Sequence, residues 1–218
     1  PLVRARNLER ELGVEELYIK DDSVNHPTLS YKDRVVPVAA TRAIELGFSV
    51  FGCASTGNLA NSVAAHAARL GLECFVFIPQ TLEPGKILGS AISGPHVIAI
   101  DGNYDDVNRL CTQVGDRYGW GFANINLRAY YAEGAKTYGF EIVEQLGWRF
   151  PKHLVCPVAG GTLLPRIGRG FHERSGEAHA EINAIESLAG GLQDLAGATV
   201  YVSLEPCAFK GQTPACAK

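Results

Sequence analysis

The sequence predicts an α/β fold, because strand-like and helix-like segments alternate along residues 1–167. Short runs rich in β-branched and aromatic residues are each followed by a longer segment with helical character. Most of these longer segments end at a glycine, the residue that most often follows the last turn of a helix. Alternation of this kind is typical of a parallel sheet covered by helices.

The individual elements follow in chain order from the same patterns. The strand candidates are residues 16–20, 50–53, 74–78, 96–100 and 153–157. The helix candidates are residues 32–46, 58–70, 86–91, 104–118 and 132–146. A Gly-rich turn follows a strand candidate at residues 55–58, and another does so at residues 159–162. Such turns present backbone N–H groups at a helix N-terminus, which suits a phosphate or a carboxylate.

The pattern changes after Arg169. Apolar residues between residues 178 and 188 recur at helical spacing, and residues 198–204 form a strand candidate. No flexible linker separates the two patterns, and the short glycine-containing segment around Gly168 is the only boundary signal between them. We therefore predict two parts, residues 1–167 and residues 168–218.

Composition places the chain among ordinary globular proteins. Of its 218 residues 46% are hydrophobic and 20% are charged, and the net charge of −3 disfavours a nucleic-acid-binding surface. No apolar run approaches the roughly 20 residues of a membrane span, and the chain opens at Pro1 without an apolar signal segment. The cysteines before residue 168 stand singly, as is usual in a reducing compartment. We expect a cytoplasmic protein that acts on small molecules and contacts neither nucleic acid nor membrane. The sequence leaves open whether the protein forms a homo-oligomer.

Lys32 is the first candidate for a catalytic residue. It lies at a loop-to-helix boundary, where Pro27 and Ser30 suit a turn and a helix cap. A lysine that forms a Schiff base must be held in place and partly desolvated, so that its amine can be neutral. The alternative is a surface lysine at the start of a helix, beside glycine turns that are merely tight turns.

Longer motifs around Lys32 resemble those of threonine synthase, a family of fold-type II pyridoxal-phosphate enzymes. Residues 21–34, DDSVNHPTLSYKDR, resemble the family's lysine region. Residues 54–68, ASTGNLANSVAAHAA, resemble its cofactor-ring loop, and residues 156–164, CPVAGGTLL, resemble its phosphate cup. Shorter matches occur in order and spacing at residues 77–79, 82–86, 124–126 and 131–134. The resemblance covers residues 1–167.

This resemblance implies a truncated three-layer sandwich of the tryptophan synthase beta-like kind and a set of site residues. Lys32 would bind pyridoxal 5′-phosphate as a Schiff base and later shuttle protons, and Asn58 would hydrogen-bond the ring hydroxyl. The residues facing the substrate carboxylate would be Ser55, Thr56 and Gly57. The residues holding the cofactor phosphate would be Gly160, Gly161 and Thr162. The family is a carbon–oxygen lyase that converts O-phospho-L-homoserine and water to L-threonine and phosphate. Because its enzymes continue well past the phosphate cup, we expect weak or no synthase activity.

A second candidate site lies downstream of Gly168. A hydrolytic zinc site needs three protein ligands and one open position for water, and His179, Cys207 and Cys216 supply suitable ligands. Glu181 would move protons between water and substrate. Residues two apart in a helix point about 200° apart, so His179 must lie in the first turn. The alternative is a structural zinc site, or two unrelated cysteines and a core histidine.

The motifs around these residues are similar to those of the riboflavin-biosynthesis pyrimidine deaminases, which belong to the cytidine-deaminase-like superfamily. They are residues 170–185, GFHERSGEAHAEINAI, residues 198–207, ATVYVSLEPC, and residues 211–216, GQTPAC. The resemblance implies a Zn²⁺ cofactor and removal of ammonia from a ribosylaminopyrimidine phosphate. Phe209 and Gln212 depart from the family's usual His and Arg, which puts the exact pyrimidine in doubt.

Three hypotheses follow. The leading one is a chimera, in which an incomplete threonine-synthase-like part at residues 1–167 is fused to an incomplete deaminase segment at residues 168–218. In the second, only the zinc deaminase is active and the upstream part is a scaffold. In the third, the chain is not catalytic and merely keeps the ligand sites.

Overall fold

A computed structural model describes residues 1–55 and 57–155. Its strands, numbered in chain order, are β1 Leu2–Arg4, β2 Tyr18–Lys20, β3 Val50–Ala54, β4 Glu73–Pro79, β5 His96–Ile100 and β6 Gly121–Phe122. Its helices are α1 Arg6–Leu12, α2 Lys32–Glu45, α3 Asn58–Leu70, α4 Pro84–Ala91, α5 Tyr104–Tyr118 and α6 Arg128–Gln145. The chain divides into two compact units, Pro1–Gly134 and Ala135–Lys218.

The first unit is built on a parallel four-stranded sheet with the order β5-β4-β3-β6. Helices α3, α4 and α5 connect its successive strands, as parallel pairing requires. A separate antiparallel pair joins β1 to β2, with Leu2 opposite Lys20. Parallel strands bring their carboxyl ends to one edge of a sheet, and this edge is the usual ligand side of open α/β sheets. The predicted α/β class with a parallel sheet is therefore confirmed.

The core of this unit lies where β3 and β4 meet α5. Every residue of β3 is buried, and Ala54, Phe77, Val107, Cys111 and Phe122 form one apolar cluster. Gly52 is required here, since a Cβ atom at this position would lie 2.5 Å from the carbonyl oxygen of Phe75 on the neighbouring strand. Cys53, Cys74 and Cys111 are buried as free thiols.

Most of the predicted elements are present. Helices α3 and α5 and strand β5 have the predicted bounds, and α2, β3, β4 and α4 differ by a few residues at most. Gly71 and Gly119 end their helices in the left-handed conformation, which explains why glycine marked those ends well.

Three elements were missed and two were misplaced. Strands β1 and β6 and helix α1 are too short to show a clear periodicity, and the two strands form only through hydrogen bonds to their partner strands. Helix α6 begins at Arg128, four residues before the predicted start, because the Leu127 carbonyl already accepts bonds from Tyr130 and Tyr131. The strand predicted at residues 153–157 was wrong for residues 153–155, which pair with no strand among the described residues. The rest of that segment, and the elements predicted after residue 168, lie outside the described residues.

Within residues 1–55 and 57–155, no helix combines the length and the apolar character needed to cross a membrane.

Candidate functional site

Lys32 is the first residue of α2, and the loop before it fixes the start of that helix. The Ser30 hydroxyl oxygen accepts a bond from the Lys32 backbone N–H at 3.2 Å. The Asp33 carboxylate in turn accepts a bond from the Ser30 backbone N–H at 3.3 Å. These two bonds satisfy backbone donors just before and at the start of α2, whose N-cap residue is Tyr31. Ser30 therefore bonds the start of the helix, but the N-cap position itself is Tyr31, which makes no side-chain cap bond.

The side-chain amine of Lys32 lies in a partly dehydrated, aromatic environment. Its Nζ atom donates a hydrogen bond to the Tyr131 hydroxyl oxygen at 2.6 Å. The ring centroids of Tyr131 and Tyr31 lie 5.3 Å and 5.6 Å from the same atom. Burial lowers the pKa of Lys32, because the charged form loses its hydration. This matches the requirement for a Schiff-base lysine and does not fit a freely hydrated surface lysine.

Tyr131 is a candidate site residue to which the sequence analysis assigned no role. It lies 99 positions from Lys32, a separation that no local pattern can bridge. Burial raises the pKa of its phenol to about 12, so the hydroxyl keeps its proton at neutral pH. The available signal was the segment at residues 131–134, which matched the threonine synthase family without an assigned role.

Gly134 explains how Tyr131 reaches Lys32. A Cβ atom at Gly134 would lie 2.7 Å from the Cα of Val35 and 2.8 Å from the carbonyl oxygen of Arg34. The first turns of α6 therefore touch the backbone of α2 directly. Only a residue without a side chain permits this approach.

The carboxyl end of β3 is held by side chains just before the predicted cofactor-ring loop. The Ala54 N–H donates to Asn124 Oδ1 at 3.2 Å, and Asn124 Nδ2 donates to the Ala54 carbonyl at 3.2 Å. The Tyr104 hydroxyl donates to the same carbonyl at 2.8 Å, and burial raises the pKa of this tyrosine. Asn124 thus continues the hydrogen bonding of β3 beyond the end of β6.

The residues predicted for this loop follow directly. The Ser55 N–H donates to the Phe77 carbonyl at 3.3 Å, Gly57 precedes the first turn of α3, and Asn58 begins that helix. Helices α2 and α3 pack against each other, so Lys32 and Asn58 stand at the starts of two contacting helices. The remaining predicted site residues lie outside the described residues; they are Thr56, Gly160, Gly161, Thr162, His179, Glu181, Cys207 and Cys216.

The pairing of Asp33 and Arg34 was undecided from the sequence. The Arg34 guanidinium forms a two-pronged ion pair with Asp22, at 2.8 Å and 3.1 Å, in a nearly dry position. Asp33 instead accepts bonds from Thr28, Ser30 and Ser62.

In the described part of the chain, His, Cys, Asp and Glu side chains form no group that could hold a metal ion.

A comparison with protein families decides the relationship. The family model described as "Pyridoxal-phosphate dependent enzyme" matches residues 1–206. The chain belongs to this family. A threonine synthase from Methanocaldococcus jannaschii is 41% identical over 174 residues, which cover 79% of this chain and 42% of that protein. A threonine synthase from Mycobacterium tuberculosis is 35% identical over 212 residues, 94% of this chain and 56% of that protein. The chain spans about half the length of the curated relatives it matches.

Solved structures of other enzymes share the fold. Diaminopropionate ammonia lyase from Escherichia coli superposes with a TM-score of 0.69 at 18% identity, covering 93% of this chain and 54% of that one. Serine racemase from maize superposes with a TM-score of 0.65 at 21% identity, covering 78% of this chain and 51% of that one. At these identities the likeness concerns the fold alone.

The family match crosses the boundary predicted near Gly168. It ends at residue 206, so it includes His179 and Glu181 and stops before Cys207. The Mycobacterium tuberculosis relative also aligns over nearly the whole chain. These comparisons support the pyridoxal-phosphate family and lend no support to a separate zinc deaminase. The deaminase origin of residues 168–218 therefore stays a prediction.

Proposed function

We propose that this chain is part of a threonine synthase, which converts O-phospho-L-homoserine and water to L-threonine and phosphate with pyridoxal 5′-phosphate. The observation that carries the proposal is the partly buried Lys32 amine, fixed at the start of α2 and hydrogen-bonded to Tyr131. The similarity to threonine synthases from several organisms supports the choice of reaction within the family.

The described residues fit the cofactor chemically. Burial favours the neutral amine of Lys32, the form that condenses with an aldehyde. Asn58 and Gly57 stand at the N-terminus of α3, where unpaired backbone N–H groups favour negatively charged oxygen atoms. Pyridoxal phosphate supplies an electron sink for carbanion chemistry. We assign Lys32 and Asn58 to the ring, Ser55, Thr56 and Gly57 to the substrate carboxylate, and Gly160, Gly161 and Thr162 to the phosphate.

Lys32 and Tyr131 are suited to hold and move a proton together. When Lys32 is protonated, its ammonium group donates to the Tyr131 oxygen, as in the structure. When Lys32 is neutral, the phenol can donate to the amine nitrogen, because its raised pKa keeps it protonated. The amine therefore keeps a partner and an orientation in both charge states, as a lysine that carries protons requires.

The test measures cofactor binding and turnover separately. Pyridoxal 5′-phosphate added to the chain should give the long-wavelength absorbance band of a lysine-bound cofactor. Lys32→Ala should abolish the band, while Lys152→Ala, at an exposed position, should keep it. Release of phosphate from O-phospho-L-homoserine then tests the reaction. No band in the unaltered chain would refute the proposal, whereas a band without phosphate release would show that these residues bind the cofactor without turnover.

A zinc deaminase at residues 168–218 is the second candidate. The motifs around His179 and Cys207 favour it, with Cys216 as the third ligand and Glu181 as the proton carrier. The purified chain should then contain one zinc ion, lost in Cys207→Ser and Cys216→Ser but kept in Cys74→Ala. Ammonia release from a ribosylaminopyrimidine phosphate should require Glu181. A metal-free chain would exclude this candidate, and bound cofactor and zinc without either turnover would favour the non-catalytic alternative.

A further inference from the structure

Asp33 is a carboxylate buried next to the candidate catalytic lysine. Its side chain is fully excluded from water. One oxygen, Oδ2, accepts bonds from the Thr28 backbone N–H at 2.8 Å, the Thr28 hydroxyl at 2.7 Å and the Ser30 backbone N–H at 3.3 Å. The other, Oδ1, accepts a bond from the Ser62 hydroxyl at 2.7 Å and lies 3.5 Å from His66 Nε2. A buried carboxylate is costly unless its oxygens are bonded in this way.

The partners of Asp33 belong to two parts of the candidate site. Thr28 and Ser30 lie in the loop that leads into α2 and delivers Lys32. Ser62 and His66 lie one turn apart on α3, and Asn58 lies one turn before Ser62 on the same helix. One carboxylate therefore connects the loop that carries the lysine to the helix that begins with the predicted ring-binding asparagine.

The same cluster contains the residue types of a nucleophilic triad, but its geometry does not serve that chemistry. Ser62 is fully buried, so no substrate can reach its hydroxyl. The hydroxyl donates to Asp33, whereas an activated serine must donate to the histidine. Burial lowers the pKa of His66, and this imidazole stands beside the Asp33 carboxylate and receives no bond from the Ser62 hydroxyl. The cluster is thus a support for its neighbours.

We propose that Asp33 is a positioning residue, which holds the Lys32 amine against Tyr131 and keeps Lys32 in register with Asn58. Asp33 acts through Ser30, whose hydroxyl accepts the Lys32 N–H, on one side and through Ser62 on the other. The proposal deepens the proposed function and rests on it, since it names what orients the cofactor lysine.

The first test needs no cofactor. It measures by mass spectrometry how the reductive methylation of Lys32 in the whole chain depends on pH, with Lys152 as the internal control for the reagent. Asp33→Ala removes every acceptor and should shift the Lys32 midpoint up toward the ordinary lysine value, because the amine leaves its dehydrated place beside Tyr131 and Tyr31. Asp33→Asn should keep the original midpoint. The amide oxygen of the new asparagine can accept the bonds from Thr28 and Ser30, and its amide nitrogen can donate to the Ser62 hydroxyl oxygen.

A matched control separates positioning from general loss of helix stability. Asp106 likewise accepts a backbone N–H at a helix start, in the capping box with Asn103 of α5, so Asp106→Ala should leave the Lys32 midpoint unchanged. A folded Asp33→Ala chain with the original midpoint would overturn the proposal. If Asp33→Ala does not fold, Asp33→Asn decides, since a midpoint that moves with the loss of charge alone would contradict positioning.

The second test addresses the link to α3. Ser62→Ala keeps the bond from the Ser30 N–H to Asp33 and removes the bond between Asp33 and this helix. It should weaken binding of pyridoxal 5′-phosphate several-fold without moving the Lys32 midpoint. Unchanged binding would overturn the link to Asn58. A chain that binds no cofactor at all would refute the proposed function, while the methylation test would still decide the role of Asp33.

Discussion

At the scale of single residues, the candidate site combines two groups whose charged forms are both disfavoured. Burial lowers the pKa of Lys32 and raises that of Tyr131, so the amine tends toward its neutral form and the phenol keeps its proton. Ionisable groups with shifted pKa values that face each other in this way are frequent in active sites. The 2.6 Å hydrogen bond between them makes the hydroxyl of Tyr131 part of the environment that sets the reactivity of Lys32.

Tyr131→Phe should lower the pKa of Lys32 further. The ammonium form loses its acceptor, and an unsatisfied buried donor costs about 1–3 kcal/mol. The pH midpoint of Lys32 methylation measures this shift. Tyr118→Phe, at an exposed tyrosine on the same unit, is the control and should have no effect. A midpoint that stays the same or rises in Tyr131→Phe would show that the phenol does not stabilise the charged amine.

At the scale of elements, close backbone approaches and a side-chain clamp position the site. Gly134 brings α6 against α2, and Asn124 with Tyr104 holds the last residue of β3. Both devices act on segments that directly precede or carry candidate site residues. Sequence patterns predicted these helices and the strand but not the contacts between them, because contacts depend on packing in three dimensions.

Gly134→Ala should move α6 away from α2 and weaken the bond between Tyr131 and Lys32. The added Cβ atom meets backbone atoms of Val35 and Arg34, which cannot rotate aside. We expect a loss of about 1–3 kcal/mol in the free energy of unfolding, measured by urea denaturation. Gly139→Ala in the same helix is the control. Among the described residues nothing lies within 4 Å of its Cβ position, so better helix propensity should leave stability equal or higher. Equal effects of the two substitutions would refute the close approach.

Asn124→Ala should destabilise the carboxyl end of β3 more than Tyr104→Phe does. Removing Asn124 leaves the Ala54 N–H without its acceptor, at a cost of about 1–3 kcal/mol. Removing the Tyr104 hydroxyl leaves Asn124 Nδ2 bonded to the Ala54 carbonyl, so a smaller loss is expected. Hydrogen exchange of the Ala54 amide reports the local opening. The reverse order of effects would contradict the clamp.

At the scale of the whole molecule, buried polar groups link stability to pH. His66 lies in the core beside Asp33, and burial lowers its pKa below the ordinary value of 6.5. The nearby Arg69 also lowers this pKa, and the opposing effect of Asp33 does not outweigh the burial. The unfolded chain therefore binds this proton more readily than the folded one. Stability from His66 is complete above about pH 6.5 and is lost as the pH falls through its lower folded value.

His66→Gln should flatten the decrease in the free energy of unfolding as the pH falls below 6.5, because glutamine takes up no proton. Urea denaturation at a series of pH values down to about 5 measures the slope; carboxylates begin to titrate below that pH. His96→Gln is the control, since that imidazole is largely exposed. A slope in His66→Gln equal to that of the unaltered chain would show that His66 is not the responsible group.

The sequence by itself determined the α/β class, most of the helix and strand bounds and the identity of Lys32 as the candidate cofactor lysine. These features depend on local signals, namely periodicity, glycine at helix ends and motifs of adjacent residues. The tertiary structure alone decided that Tyr131 meets Lys32, that Arg34 pairs with Asp22 and that Asp33 joins the lysine loop to α3. It also added β6, whose two residues exist as a strand because they pair with β3. The physical reason is the same in each case: partners far apart in the chain are brought together by packing, which no local pattern encodes.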